Sequence, residues 1–173
     1  MLKIVAIGGY TSKNGNASML SLPIDREIVR LSGKKHPRAL FIGTATEDHP
    51  KYIAWFEEMY GKKLQCTTDK LCLYKEKYTH KQIADKILSA DLIYVGGGNT
   101  LKMMLRWKRF GVTTLLRQAY KKDIVLAGVS AGSICWFEYG VSDSRQFKNP
   151  KSNEYIRVSG LNLIKGLHCP HYK

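Results

Sequence analysis

The chain has 173 residues, with 28 Lys and Arg against 14 Asp and Glu, for a net charge of +14. Hydrophobic residues make up 44%, so the length and composition suit one globular domain spanning 1–173. No apolar run approaches the ~20 residues of a membrane helix, and no membrane partner is expected.

The basic residues are scattered, as in Lys34, Lys35 and Arg38 or Lys62 and Lys63, and no nucleic-acid motif accompanies them. They read as solvated surface, with no specific nucleic-acid partner. The apolar start, Met1 to Gly9, is too short for a signal peptide and reads as a first strand and its turn. A cytoplasmic location is the corresponding expectation. The four cysteines, at 66, 72, 135 and 169, form no C-x-x-C pair. They read as buried reduced thiols, and neither a metal nor a cofactor is expected.

In chain order the elements alternate. Leu2 to Ile7 predicts a buried strand, and Ile24 to Leu31 a short helix with Ile24, Ile28 and Leu31 on one face. Arg38 to Ile42 predicts a second strand ending in Gly43-Thr44-Ala45-Thr46. Tyr52 to Tyr60 predicts a helix stopped by Gly61, followed by extended pieces at Leu64–Thr68 and Leu71–Tyr74. Thr79-His80-Lys81-Gln82 has the capping-box pattern and opens a helix through Leu88. Leu92 to Val95 predicts a buried strand ending in Gly96-Gly97-Gly98-Asn99-Thr100; Leu101–Trp107 and Thr113–Lys122 predict helices. Alternating strands and helices imply an α/β fold, with a mostly parallel sheet covered on both faces. Ligands of such sheets gather in the loops at the carboxyl ends of the strands.

The next loop carries the chemistry. Gly128-Val129-Ser130-Ala131-Gly132 follows the apolar run Ile124–Ala127 and precedes Ser133–Phe137, which predicts a continuing helix. Strand, tight turn and helix are the context in which G-x-S-x-G acts as a nucleophile elbow. The alternative is a glycine-rich anion-binding turn. A serine nucleophile needs a base and donors for the developing oxyanion. Gly97 or Gly98 and Ala131 could supply the donors. Of the five histidines, His36, His49 and His80 precede the serine; His168 and His171 follow it, the order of α/β-hydrolase triads. Spacing does not choose between those two. Upstream acids in the same half are Glu138, Asp143 and Glu154, with Asp143 in the polar loop Val141-Ser142-Asp143-Ser144.

Gly96-Gly97-Gly98-Asn99-Thr100, Gly-Val-Ser-Ala-Gly-Ser at 128–133, the Asp143 loop and Pro170-His171-Tyr172 together resemble the peptidase E family of aspartyl dipeptidases and their cyanophycinase relatives. The resemblance spans essentially the whole chain. It implies a flavodoxin-like sheet of the class I glutamine-amidotransferase type. It also implies metal-free serine hydrolysis of small peptides with an N-terminal Asp. Carried over, Ser130 is the nucleophile, His171 the base, and Gly97, Gly98 and Ala131 the oxyanion hole. Asp143 would orient His171 or contact substrate, while Asn99, Thr100 and Arg145 would bind it. Lys148, Lys151 and Arg157 are further cations able to meet a substrate carboxylate. The family continues past this histidine with a further strand and helix and an acid that completes the triad; this chain ends two residues after it. A chain without them implies an uncovered edge that a second copy would cover in a homodimer. The competing expectation is a weakly active or inactive truncated relative that binds small molecules or anions.

Overall fold

The computed structural model describes residues 3–9, 17–147, 149, 151 and 154–171. Five parallel strands form the main sheet in the order β1-β5-β4-β2-β3. They are β1 (Ile4–Ile7), β2 (Arg38–Ile42), β3 (Thr67–Leu71), β4 (Leu92–Val95) and β5 (Val125–Val129). Helices cover both faces, as the alternating pattern requires. Successive side chains point to opposite faces of a strand, and the cores divide accordingly. Leu40, Ile42, Ile93, Val95 and Leu126 pack under α3 (His80–Leu88), α4 (Thr100–Arg109) and α5 (Val112–Lys121). Phe41, Tyr94, Val125 and Ala127 pack under α1 (Ala17–Leu31) and α2 (Pro50–Phe56). Among the described residues no helix is long and apolar enough to cross a membrane.

Several boundaries differ from expectation. α1 begins well before Ile24 and carries Pro23 in its interior, where the helix forgoes one backbone bond. Met1 and Leu2, the latter in the expected first strand, lie outside the described residues. Gly61 does not stop the second helix: α2 runs into a π-helical turn, Glu57–Lys63, closed by Leu64 N–H donating to the Met59 carbonyl at 3.0 Å. That turn absorbs Leu64 and Cys66, so the two expected extended pieces become the single strand β3. The capping box at Thr79 forms with both halves present.

The largest correction follows the serine elbow. The expected helix is a single turn, α6 (Ala131–Ile134), and the chain then turns into β6 (Phe137–Ser142). Glu138 therefore lies on a strand. Phe137, Tyr139 and Val141 are β-formers at alternate positions. Gly140 lets β6 lie on α6, because a Cβ there would sit 2.4 Å from Ile134 Cγ2. β6 is the centre of a second sheet, β7-β6-β8, with β7 (Ile156–Ser159) antiparallel and β8 (Ile164–His168) parallel to it.

One buried charge lies under α1. Asp25 is fully buried, and the Tyr60 hydroxyl donates to its Oδ1 at 2.7 Å. Burial pushes its carboxyl above the usual range despite that bond. The folded chain then holds the Asp25 proton more tightly than the unfolded chain, so stability falls as pH rises through the raised pKa. Asp25→Asn should gain stability relative to wild type as pH rises from 4 to 8 in urea titrations. A difference independent of pH would count against a raised pKa.

Candidate active site

The elbow exists because backbones meet closely around it. Ser130 follows β5 with φ 54° and ψ −112°, a conformation that costs about 1–3 kcal/mol for a residue with a Cβ. Gly128 and Gly132 make the turn fit. A Cβ on Gly128 would lie 2.2 Å from the Gly132 carbonyl oxygen, and one on Gly132 would lie 2.1 Å from that of Val95. The Ser130 N–H donates to the Ile7 carbonyl at 2.9 Å, which ties the elbow to the end of β1. The serine thus emerges at the carboxyl ends of β1, β5 and β4.

His171 and not His168 reaches it. His171 Nε2 lies 2.9 Å from Ser130 Oγ. Its backbone N–H donates to the Gly8 carbonyl at 3.2 Å, with φ 57° turning the chain toward the serine. Gly9 forms the wall behind the ring: a Cβ there would stand 2.4 Å from both Cε1 and Nδ1 of His171. The loop after β1 therefore lines the site, in keeping with its place among the distinctive loops at the carboxyl ends of the strands. Tyr10 and Tyr172 lie outside the described residues.

His168 belongs to a second pair. Its Nε2 lies 2.9 Å from Ser133 Oγ, and that hydroxyl is 2.7 Å from the Ser130 carbonyl oxygen. Since the hydroxyl donates its one proton to the carbonyl, it accepts from His168, which places the imidazole proton on Nε2. The ring stacks on Phe137 at 4.5 Å, and burial pushes its pKa down, so it is neutral. Ser133 is fully buried, so this pair is no second nucleophile. It ties the strand that precedes His171 to the turn that carries Ser130. The other histidines are employed elsewhere: His49 caps α2, and His36 meets the Gln65 carbonyl.

The glycine loop after β4 lines the other side. Gly97 packs against the serine, with a Cβ there 3.3 Å from Ser130 Cβ. Its N–H donates to the Tyr52 hydroxyl at 3.2 Å, which occupies one of the expected oxyanion donors. Burial of that phenol pushes its pKa up to about 12, so it stays neutral. Gly98, at φ 132°, lies where a Cβ would meet the Ala45 carbonyl oxygen at 2.4 Å. Among the described residues no acceptor engages the N–H of Gly98 or Ala131. Because α6 is one turn long, Ala131 acts as a local donor without the dipole of a long helix.

A cavity of about 470 Å³ opens beside the pair, bounded by Thr100, Ser130, Ile134, Asp143, Tyr155 and His171 among others. Asp143 faces this cavity, and among the described residues it makes no hydrogen bond to His171. Flanking serines hold it there. Ser142 Oγ donates to Thr100 Oγ1 at 3.1 Å, and Ser144 Oγ accepts from Leu101 N–H at 3.0 Å. Asn99 is not free to bind a ligand: its Oδ1 caps α4 at Lys102 N–H, and its Nδ2 donates to the Ser144 carbonyl. Arg145 pairs with Glu154 on the exposed surface and does not line the cavity. Lys148 lies outside the described residues. Cys66, Cys72 and Cys135 are buried thiols as expected, whereas Cys169 is exposed at the cavity wall. Tyr155, Ile134 and Val141 carry no signal as site residues in the sequence, because they line the cavity only once α6, β6 and the start of β7 fold together beside Ser130.

Known proteins resemble this chain in sequence and in fold. Residues 5–173 match the sequence profile of peptidase family S51. An uncharacterized peptidase of Bacillus subtilis strain 168, YgaJ, is 36% identical over 174 residues, covering 99% of this chain and 69% of the relative. A crystal structure from Listeria monocytogenes EGD-e, described as a candidate peptidase E protein, superposes with a TM-score of 0.64 at 20% identity. It covers 93% of this chain and 73% of that one. A peptidase from an acI-B1 Actinobacterium gives a TM-score of 0.57 at 17% identity, covering 92% of this chain and 63% of that one. At these identities the two structures speak for the fold.

Two outcomes follow from the geometry. Gly9→Ala should swing the His171 ring off Ser130 and slow labelling by a serine-directed fluorophosphonate by about 10²-fold, with some loss of melting temperature because Gly9 has φ 155°. Unaltered labelling would mean that Gly9 does not hold the ring. His168 has a lowered pKa, so its contribution to stability is full above the unfolded value near 6.5 and is lost as pH falls through it. The melting-temperature advantage of wild type over His168→Gln should therefore shrink between pH 7.5 and 5.5. An advantage constant over that range would argue against a neutral, half-buried imidazole.

Proposed function

The chain belongs to peptidase family S51, and from that premise we propose that it hydrolyses short peptides, foremost dipeptides with an N-terminal Asp, through an acyl-enzyme on Ser130. The observation that carries this reading is the 2.9 Å contact between Ser130 Oγ and His171 Nε2 at the mouth of the cavity. A mere anion-binding turn has no use for an imidazole at that distance.

The steps follow from the positions. His171 Nε2 takes the hydroxyl proton as Ser130 Oγ attacks the scissile carbonyl carbon. The carbonyl oxygen becomes an oxyanion and takes the free N–H groups of Gly98 and Ala131. The C–N bond breaks as His171 returns the proton to the leaving amine. Water, deprotonated by the same imidazole, then attacks the ester and releases Ser130. His171 is positioned by the Gly8 carbonyl and by the wall at Gly9.

Asp143 takes the role of substrate contact. A carboxylate facing the cavity suits the α-ammonium of a peptide whose first residue is acylated onto the serine. Thr100 stands on the same wall. For the Asp side chain we do not propose Arg145, which pairs with Glu154 on the surface. The reading further places the protein in the cytoplasm.

Asp-Leu, Ala-Leu and Glu-Leu should be assayed with wild type and Ser130→Ala. The expected result is turnover selective for Asp-Leu, reduced by about 10⁴-fold or more in the variant. Equal rates for wild type and Ser130→Ala would reject the serine mechanism. Equal rates on all three dipeptides would reject the specificity and leave the mechanism standing.

A further inference from the structure

A second cavity of about 480 Å³ lies between the outer strand β7 and helices α4 and α5. Its floor is apolar, with Leu101 and Leu105 at 38% and 61% exposure. Three cations, Lys108, Arg117 and Arg157, stand around it. Among the described residues none of the three has a carboxylate partner. Most exposed cations of a protein are simply solvated, but here the neighbouring charges are otherwise placed: Lys102 is paired with Glu47 and Arg145 with Glu154. Two of the three are also held in place. Arg117 Nε donates to the Leu161 carbonyl at 3.2 Å, and the Arg157 guanidinium lies 4.6 Å from the Tyr139 ring centre. Both retain N–H groups for an anion.

β7 connects this groove to the catalytic cavity. Tyr155, just before the strand, lines the cavity at Ser130, and Arg157 and Ser159, two and four residues on, line the groove. The distance from Tyr155 to Ser159 is roughly 13 Å at the rise of an extended chain, which is the reach of about four peptide residues. β7 pairs on one side with β6 and is an edge of the sheet among the described residues. An edge strand offers unpaired backbone groups to an added extended peptide. On the other side of the catalytic cavity, α4 supplies Thr100 to the site and Leu101 to the groove, so one helix also bridges the two.

We propose that this groove binds the leaving-group side of peptides longer than dipeptides, running along β7 with their free C-terminal carboxylate among Lys108, Arg117 and Arg157. The direction follows from charge. The two ends of a peptide carry an ammonium and a carboxylate, and three unpaired cations repel the first and attract the second. The apolar floor favours hydrophobic side chains before that terminus. This inference rests on the peptidase reading for the position of the scissile bond, but the groove itself can be tested without turnover.

The test uses the full chain carrying Ser130→Ala and isothermal titration calorimetry at low salt. The probes are Asp-Leu-Ala-Ala as the free acid and the same peptide as its C-terminal amide, which differ in one charge. The free acid should bind about tenfold more tightly, a size suited to exposed charges. Adding Lys108→Gln and Arg157→Gln, both at exposed positions, should reduce the ratio to about one. Equal binding of acid and amide, no binding of either, or a ratio unchanged by the two substitutions would overturn the proposal. Wild type is assayed for hydrolysis of the same tetrapeptide in parallel. Acid-selective binding without hydrolysis of either this tetrapeptide or Asp-Leu would sink the serine peptidase reading alone, whereas hydrolysis without acid selectivity would sink the groove alone.

Discussion

Ser130 can occupy its position only because three backbones approach more closely than side chains permit. The two glycines two residues before and after it lie against each other and against the end of β4, at distances where any Cβ would overlap a carbonyl oxygen. Close approach places the serine in a left-handed conformation that an ordinary turn would not keep. The strain is held by the parallel sheet on either side: Ser130 N–H continues the pairing of β5 with β1, and β4 flanks it. Loss of that packing would relax the elbow and separate the nucleophile from both of its neighbouring loops.

The same constraint organises the base. His171 comes from the far end of the chain, and nothing local holds it. It is seated by the loop after β1, through the Gly8 carbonyl and the bare face of Gly9, and by the preceding His168, which is tied to Ser133 on the elbow itself. Two serine–histidine pairs, three residues apart on both partners, therefore do different work. The outer one has an accessible hydroxyl beside a cavity, whereas the inner one has a buried hydroxyl and a half-buried, neutral imidazole, and holds the two segments together. Burial distinguishes the candidate catalytic pair from the fastener, since both pairs have the same hydrogen-bond length.

Serines also position the acid. The alternation in Val141-Ser142-Asp143-Ser144 sends both serines inward to the start of α4 and leaves Asp143 facing the cavity. This accounts for a carboxylate near the site that does not bond the imidazole. It also explains why Asn99 and Thr100 sit so near the cavity: they anchor the loop that brings Asp143 in, Asn99 through its Nδ2 while its Oδ1 caps α4. The antiparallel pair β6 and β7 flanks this loop, with Val141 and Tyr155 on the cavity and Arg157 and Ser159 on the groove.

Much of this was legible in the sequence because it depends on local rules. Strands β2 and β4 could be bounded from their apolar runs, the helix at His80 from its capping box, and the elbow from two glycines around a serine after a strand. Where the expectation failed, a distant contact overruled a local preference. Phe137–Ser142 is a strand because β7 and β8 flank it, and the helix at Glu57 passes through Gly61 because its turn widens. The sequence alone determined the α/β class and singled out Ser130 as the candidate nucleophile, since periodicity and close-packing glycines are written into a few adjacent residues. Only the tertiary structure decided which histidine faces Ser130, which glycine N–H groups stay free, and where Asp143, Arg145 and the three groove cations stand. Those positions arise where segments far apart in the chain converge at one edge of the sheet, and residue spacing carries no record of that distance.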